Sequence, residues 1–158
     1  MEKLIVAKFG GSAIGVDGEG LPVILDRIRS LKSDSTVIAV CSAPLTMVEG
    51  EKISLTDVML NLGNNAANGN EVTMEIIEQS YSKILEMVSE KYKLECKEII
   101  DEMLGLAAKS LTCAHTEGKF EDELRAKTLA YSGEVLMSHV LNYILRSNDI
   151  MSDSITLD

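Results

Sequence analysis

Residues 4–43 read LIVAKFGGSAIGVDGEGLPVILDRIRSLKSDSTVIAVCSA, and the order of patterns in them decides the fold class. Leu4 to Phe9 is a short apolar run stopped by Gly10 and Gly11, which predicts a buried strand and a tight turn. Gly15, Gly18 and Gly20 keep the next stretch in a loop. Pro22 suits the first turn of a helix, where its missing N–H costs nothing. Leu21, Ile24, Leu25, Ile28 and Leu31 then recur at helical spacing, with Asp26, Arg27 and Lys32 off that stripe. Thr36 to Cys41 is a second apolar run, ended by Ser42, Ala43 and Pro44. Pro44 drives Ala43 toward an extended conformation. Strand, helix and strand in this order predict a right-handed βαβ unit in a parallel sheet.

Beyond Leu55 the pattern turns helical. Leu55, Val58, Met59 and Leu62 form one stripe, and Asn64 to Asn70 (NNAANGN) predicts a turn-rich break. Further stripes run through Ile76, Ile77, Tyr81 and Ile84, through Ile99, Ile100, Met103 and Leu104, and through Leu136, Val140, Leu141 and Ile144. This long insert reads as mostly structural, with its charges on solvated faces. Ile155 to Leu157 is expected to begin a third strand. With about three strands in sight, the sheet is expected to be small or incomplete in this chain.

Composition narrows the partners. Hydrophobic residues make up 46% of the 158 residues, while aromatics are 4% and Trp is absent, so the core is aliphatic. A net charge of −10 argues against a nucleic-acid groove and against an anionic membrane surface. It leaves room for an anionic ligand held locally by amides and one lysine. Cys41, Cys96 and Cys113 are an odd set without paired spacing, read as free thiols rather than disulfides or a zinc site. MEKLIVAKFGG has too short an apolar run for a signal peptide, and no stretch reaches the roughly 18 apolar residues of a membrane span. A cytoplasmic protein is expected.

Three places carry possible chemistry. Lys8–Phe9–Gly10–Gly11–Ser12 ends the first strand, and adjacent glycines let backbone N–H groups approach phosphate oxygens while a lysine neutralises charge. The spacing matches neither a Walker loop nor G-x-G-x-x-G, and a plain strand-to-loop turn would also read K-x-G-G. Ser42 ends the second strand on the same sheet edge, where its hydroxyl could bond a substrate or simply end the strand. Ser132–Gly133–Glu134 opens an apolar helix; Glu134 suits the helix dipole, or faces a cleft and binds an ammonium group. Thr56–Asp57 opens the helix after the second strand, with N-capping as its first explanation. His115 and His139 have no second ligand at metal spacing, and no metal site is read.

Taken together and in order, these segments resemble the amino acid kinase superfamily, and within it the aspartate kinases. VAKFGGSA resembles that family's opening K-F-G-G-T-S, TVIAVCSA its V-V-x-S-A strand, and SGEVLMSHVLNYIL its S-x-G-E-x-x-S segment at the start of a helix. The long helical insert fits aspartate kinases as well. The resemblance spans essentially the whole chain but only the first part of the family's length.

The resemblance implies a three-layer αβα sandwich with a mainly parallel sheet, incomplete in this chain. It implies that residues 1–158 are the N-terminal, amino-acid-binding part of a catalytic domain, without the nucleotide-binding half or regulatory domains. The implied reaction moves the γ-phosphoryl of ATP, with Mg2+, to the β-carboxylate of aspartate. By the same resemblance Lys8 stabilises the transferring group, Gly10, Gly11 and Ser12 lie near the phosphates, Ser42 and Thr56 contact the amino acid, and Glu134 pairs with its ammonium. Ala13 departs from the family by replacing a hydroxyl, and the longer stretch Pro44 to Ser54 blurs the match at Thr56. A homo-oligomer is expected. Two alternatives stand: another phosphotransferase of the superfamily, and a non-catalytic fragment that binds an amino acid or a partner. A carboxylate at Glu134 suits an ammonium-bearing substrate and repels a phosphate.

Overall fold

The structure is a computed structural model that describes residues 3–155. β1 (Lys3–Phe9) pairs in parallel with β2 (Ser35–Cys41), in a register that sets Lys3 against Ser35 and Phe9 against Cys41. Between them run a single helical turn, α1 (Gly11–Ile14), and the crossover helix α2 (Leu21–Lys32). α2 has its proline in the first turn and buries Leu21, Ile24, Leu25 and Ile28, so its apolar stripe lies where the periodicity puts it. The short turn α1 falls in a stretch whose glycines read as loop.

Residues 44–54, read only as a long connection, form an antiparallel hairpin instead: β3 (Leu45–Val48) pairs with β4 (Glu51–Ser54). Glu49 and Gly50 make its two-residue turn, at φ 51° and 87°. Positive φ at both turn residues matches the twist of the flanking strands, and glycine supplies one of them without steric cost.

Helices make up the rest: α3 (Leu55–Ala67), α4 (Glu75–Leu85), α5 (Glu90–Glu117), α6 (Asp122–Ser132) and α7 (Glu134–Ser147). α3 runs through Asn64 and Asn65 to Ala67, so the break begins at Asn68 rather than Asn64 and runs on to Met74, before α4. Burial of Gly63 and Ala66 on the same face holds the asparagines in the helix against their turn preference. α5 spans 28 residues, about 42 Å at 1.5 Å per residue, and ends at left-handed Gly118. It packs against α3, α4, α6 and α7.

One apolar core joins the two parts. Phe9, Ile14 and Ile24 from the βαβ unit meet Leu55, Met59, Ile77, Tyr81 and Ile84 from α3 and α4, and Leu136, Val140 and Ile144 from α7. Each such side chain, taken fully out of water, contributes about 1.5–3 kcal/mol. The sheet alternates as a strand must. Ala7 and Phe9 pack on this core, while Leu4, Val6, Ile38 and Val40 stay 60%, 65%, 42% and 44% exposed. Among the described residues, helices therefore cover one face of the β1–β2 pair. Residues 151–155 carry no strand, and the rest of the expected third strand, Thr156 and Leu157, lies outside the described residues.

Candidate functional site

Three chain reversals meet at the C-terminal end of the parallel strands. The Ser42 N–H donates to Phe9 O at 3.0 Å, which carries the strand pairing one residue past β2 and sets the Ser42–Ala43 turn beside Gly10–Gly11. The glycine loop is pinned to the hairpin, as the Leu45 N–H donates to Gly15 O at 3.1 Å and the Asp17 N–H to Leu45 O at 2.8 Å. The Leu55 N–H in turn donates to Pro44 O at 3.0 Å, tying the start of α3 to the same turn. Ala43, only 3% exposed, is the common neighbour of the surrounding segments.

Two glycines make that convergence possible. A Cβ on Gly11 would stand 3.0 Å from Ala43 O, and one on Gly133 would stand 2.8 Å from Leu129 O, 3.1 Å from Thr56 Oγ1 and 3.4 Å from Ala43 Cβ. Both positions admit only hydrogen without displacement. Gly10 differs: its backbone is ordinary extended chain, at φ −72° and ψ 168°, and a Cβ there would meet nothing within 4 Å. Neither geometry nor packing requires glycine at that position. What its bare backbone supplies is open access to the amides that follow.

The result is an open cleft of about 400 Å³ lined by Gly11, Ser12, Ser42, Ala43, Leu45, Ser54, Thr56, Asp57 and Glu134. Five residues singled out in the sequence, Gly11, Ser12, Ser42, Thr56 and Glu134, thus share one wall system although they come from segments up to 123 positions apart in number. Gly10 borders the same turn. Lys8 does not line the cleft: it is exposed and alternates onto the uncovered sheet face, opposite Val40 in register. Ala13 is exposed.

Thr56 is not the helix cap. Ser54 is, its Oγ accepting from the Thr56 N–H at 3.0 Å, because Leu55 already has helical geometry and the cap must precede it. Thr56 is thereby the second residue of α3, on the cleft wall. Ser54, Leu45 and Asp57 join the lining without being binding candidates in the sequence; Gly50, between two four-residue strands, is the local trace of the hairpin that brings in the first two.

The charged lining residues are Asp57 and Glu134, both acids and both in the first turn of a helix. Beside them burial pushes the Cys41 thiol up to about 11, and the negative charge of Glu134 adds to the shift. These acids favour a cationic group in the cleft. The same lining offers the hydroxyls of Ser12 and Ser42 and the backbone of Gly11, groups that fit phosphate or carboxylate oxygens. Among the described residues no cluster of His, Cys, Asp and Glu could hold a metal ion, and no helix is long and apolar enough to cross a membrane.

A family model, that of the amino acid kinase family, matches residues 3–158. Among solved structures, the chain is similar to E. coli aspartokinase III in complex with lysine and aspartate (T-state), with a TM-score of 0.62 and 22% sequence identity. That similarity covers 96% of this chain and 30% of the other, and at this identity it speaks to the fold. No curated protein sequence matches the chain.

Proposed function

The chain belongs to the amino acid kinase family, and on that premise we propose that it forms the amino-acid-binding part of an aspartate kinase catalytic domain. One observation carries the reading: Gly11, Ser12, Ser42, Thr56 and Glu134, drawn from separate segments, line a single cleft. In this reading the substrate ammonium sits against Glu134, with Asp57 adding negative potential. The amino acid's carboxylates face the hydroxyls and the glycine turn. Two acids in the lining disfavour a phosphate-bearing acceptor, which separates this reading from phosphotransferases of the family that act on a phosphate, while those that act on another amino acid are separated by binding.

Bound MgATP would supply the phosphoryl group, its phosphates meeting the Gly10–Gly11 turn and Ser12. An aspartate β-carboxylate is already ionised at neutral pH, so the chain has no need of a general base, and its share of the work is alignment and charge balance. Lys8 enters as the charge-stabilising residue by resemblance. Its absence from the cleft lining favours a second reading, an amino-acid-binding fragment without phosphoryl transfer of its own. Trapping acyl phosphate as hydroxamate, with aspartate and MgATP present, tests the second reading. The chain by itself is expected to yield none under either reading, and product formation would overturn the second.

Calorimetry with aspartate, glutamate and lysine tests the substrate. Aspartate is expected to bind weakly and selectively. Glu134→Gln is expected to weaken it by about tenfold, the low end of an ionic hydrogen bond's worth because Glu134 is exposed. Tight binding of lysine with none of aspartate would overturn the assignment.

A further inference from the structure

Tyr81 lies in α4, inside the insert whose sequence reads as structural, and it is completely buried. Its hydroxyl does not end in the core. It approaches two carbonyl oxygens, Ser132 O and Gly133 O, each at 3.1 Å. The first is the last carbonyl of α6 and the second belongs to the residue that opens α7. Gly133 O also accepts the Met137 N–H at 2.9 Å, so the phenol shares an acceptor with the first turn of α7. No side chain caps that helix. Glu134 is its first residue and lines the cleft.

We infer that Tyr81 is a positioning residue for Glu134: its hydroxyl clamps the α6–α7 junction, so that α7 starts at one place and carries the carboxylate into the cleft. The inference rests on the reading of Glu134 given above. It assigns a functional task to the insert, because α4 supplies the clamp. Burial pushes the phenol pKa well above its ordinary value, so the group stays a donor. Phenylalanine at this position would fill nearly the same space and remove only the donor, which separates clamping from packing.

The test compares Tyr81→Phe with Ile77→Val in the full chain. Ile77 is also fully buried on α4, and trimming it perturbs the core without touching the junction. Two readouts are followed, backbone hydrogen exchange at the start of α7 and aspartate affinity by calorimetry. Tyr81→Phe is expected to speed exchange at the Met137 amide and to weaken aspartate binding by about three- to tenfold, the equivalent of one hydrogen bond. Ile77→Val is expected to lower the thermal midpoint and do neither. Exchange at Met137 no faster in Tyr81→Phe than in Ile77→Val overturns the clamp, as does unchanged aspartate affinity where Glu134→Gln lowers it. If the wild-type chain binds no amino acid, the substrate reading of Glu134 fails, and exchange at Met137 decides the clamp alone.

Discussion

Replacing Gly10 and Gly11 by alanine, one at a time, separates what the fold requires from what a ligand would require. At Gly10 the backbone suits any residue and the space is empty. Alanine there removes freedom from the unfolded chain and nothing from the folded one, a gain of about 0.4–1 kcal/mol. At about 2–4 °C per kcal/mol for a chain of this length, the midpoint rises by about 1–4 °C. At Gly11 the new Cβ lands 3.0 Å from Ala43 O and 3.4 Å from Leu45 Cδ2. The carbonyl cannot move aside freely, since the turn carrying it is tied at both ends, through Ser42 to Phe9 and through Leu55 to Pro44. Overpacking of this kind costs about 1–3 kcal/mol, and the same entropic gain offsets part of it. A net loss of about 1–2 kcal/mol lowers the midpoint by about 2–8 °C. Thermal melts of the two variants should thus move in opposite directions. Binding reverses the ranking in interest: a methyl group on Gly10 would cover the approach to the following amides, so Gly10→Ala should weaken tripolyphosphate binding despite its greater stability. Equal stability of the two variants would refute the close packing at Ala43. Wild-type affinity for tripolyphosphate in Gly10→Ala would refute a phosphate at the turn.

Three further outcomes are expected. Burial opposes the charge on Asp17, but Lys83 at 2.5 Å outweighs it and holds the carboxyl below its ordinary value. Ser80 Oγ makes no hydrogen bond in the structure, which leaves Lys83 the main partner. The stabilisation is therefore present above the ordinary carboxylate pKa and lost as pH falls through the depressed folded value. Melts of wild type and Asp17→Asn should converge below about pH 4, and a gap that persists in stronger acid would remove Asp17 from the acid response. Burial pushes the Cys96 thiol up to about 12 and Cys41 up to about 11, while Cys113 is exposed, so a disulfide reagent at mildly alkaline pH should label Cys113 fast; a fast phase that survives Cys113→Ser would contradict this. The uncovered face of Leu4, Val6, Ile38 and Val40 should make the chain self-associate. Light scattering should show smaller particles for the cross-strand pair Val6→Lys with Ile38→Glu, and a wild-type monomer that binds no hydrophobic dye would count against it.

Local pattern was enough for the βαβ unit. Pro22 in the first turn of α2, the stripe of Leu21, Ile24, Leu25 and Ile28, and the two β-branched runs all act within a few residues, where backbone preference and one buried face decide the outcome. The hairpin at 45–54 was missed because its strands are four residues each, too short for alternation to stand out. The Asn64–Asn70 break was placed too early because burial of Gly63 and Ala66, a tertiary effect, outweighs the turn preference of asparagine. The helix begins two residues before the place that capping by Thr56 implies, with Ser54 as the cap, and this sets Thr56 on the cleft wall.

The sequence by itself determined which residues have the chemistry for the site: the glycine turn, two strand-end and helix-start hydroxyls, and a carboxylate at a helix start. Each of those is a local property, written in side-chain type and in the pattern beside it. Only the tertiary structure decided that Gly11, Ser42, Thr56 and Glu134 share one cleft, that Lys8 alternates onto the uncovered face, and that Tyr81 reaches across 51 residues to the junction before Glu134. Those facts depend on packing between segments far apart in the chain. Such packing is set by close approach at Ala43 and by which carbonyls a buried hydroxyl can reach, and no periodicity within a window of sequence encodes either.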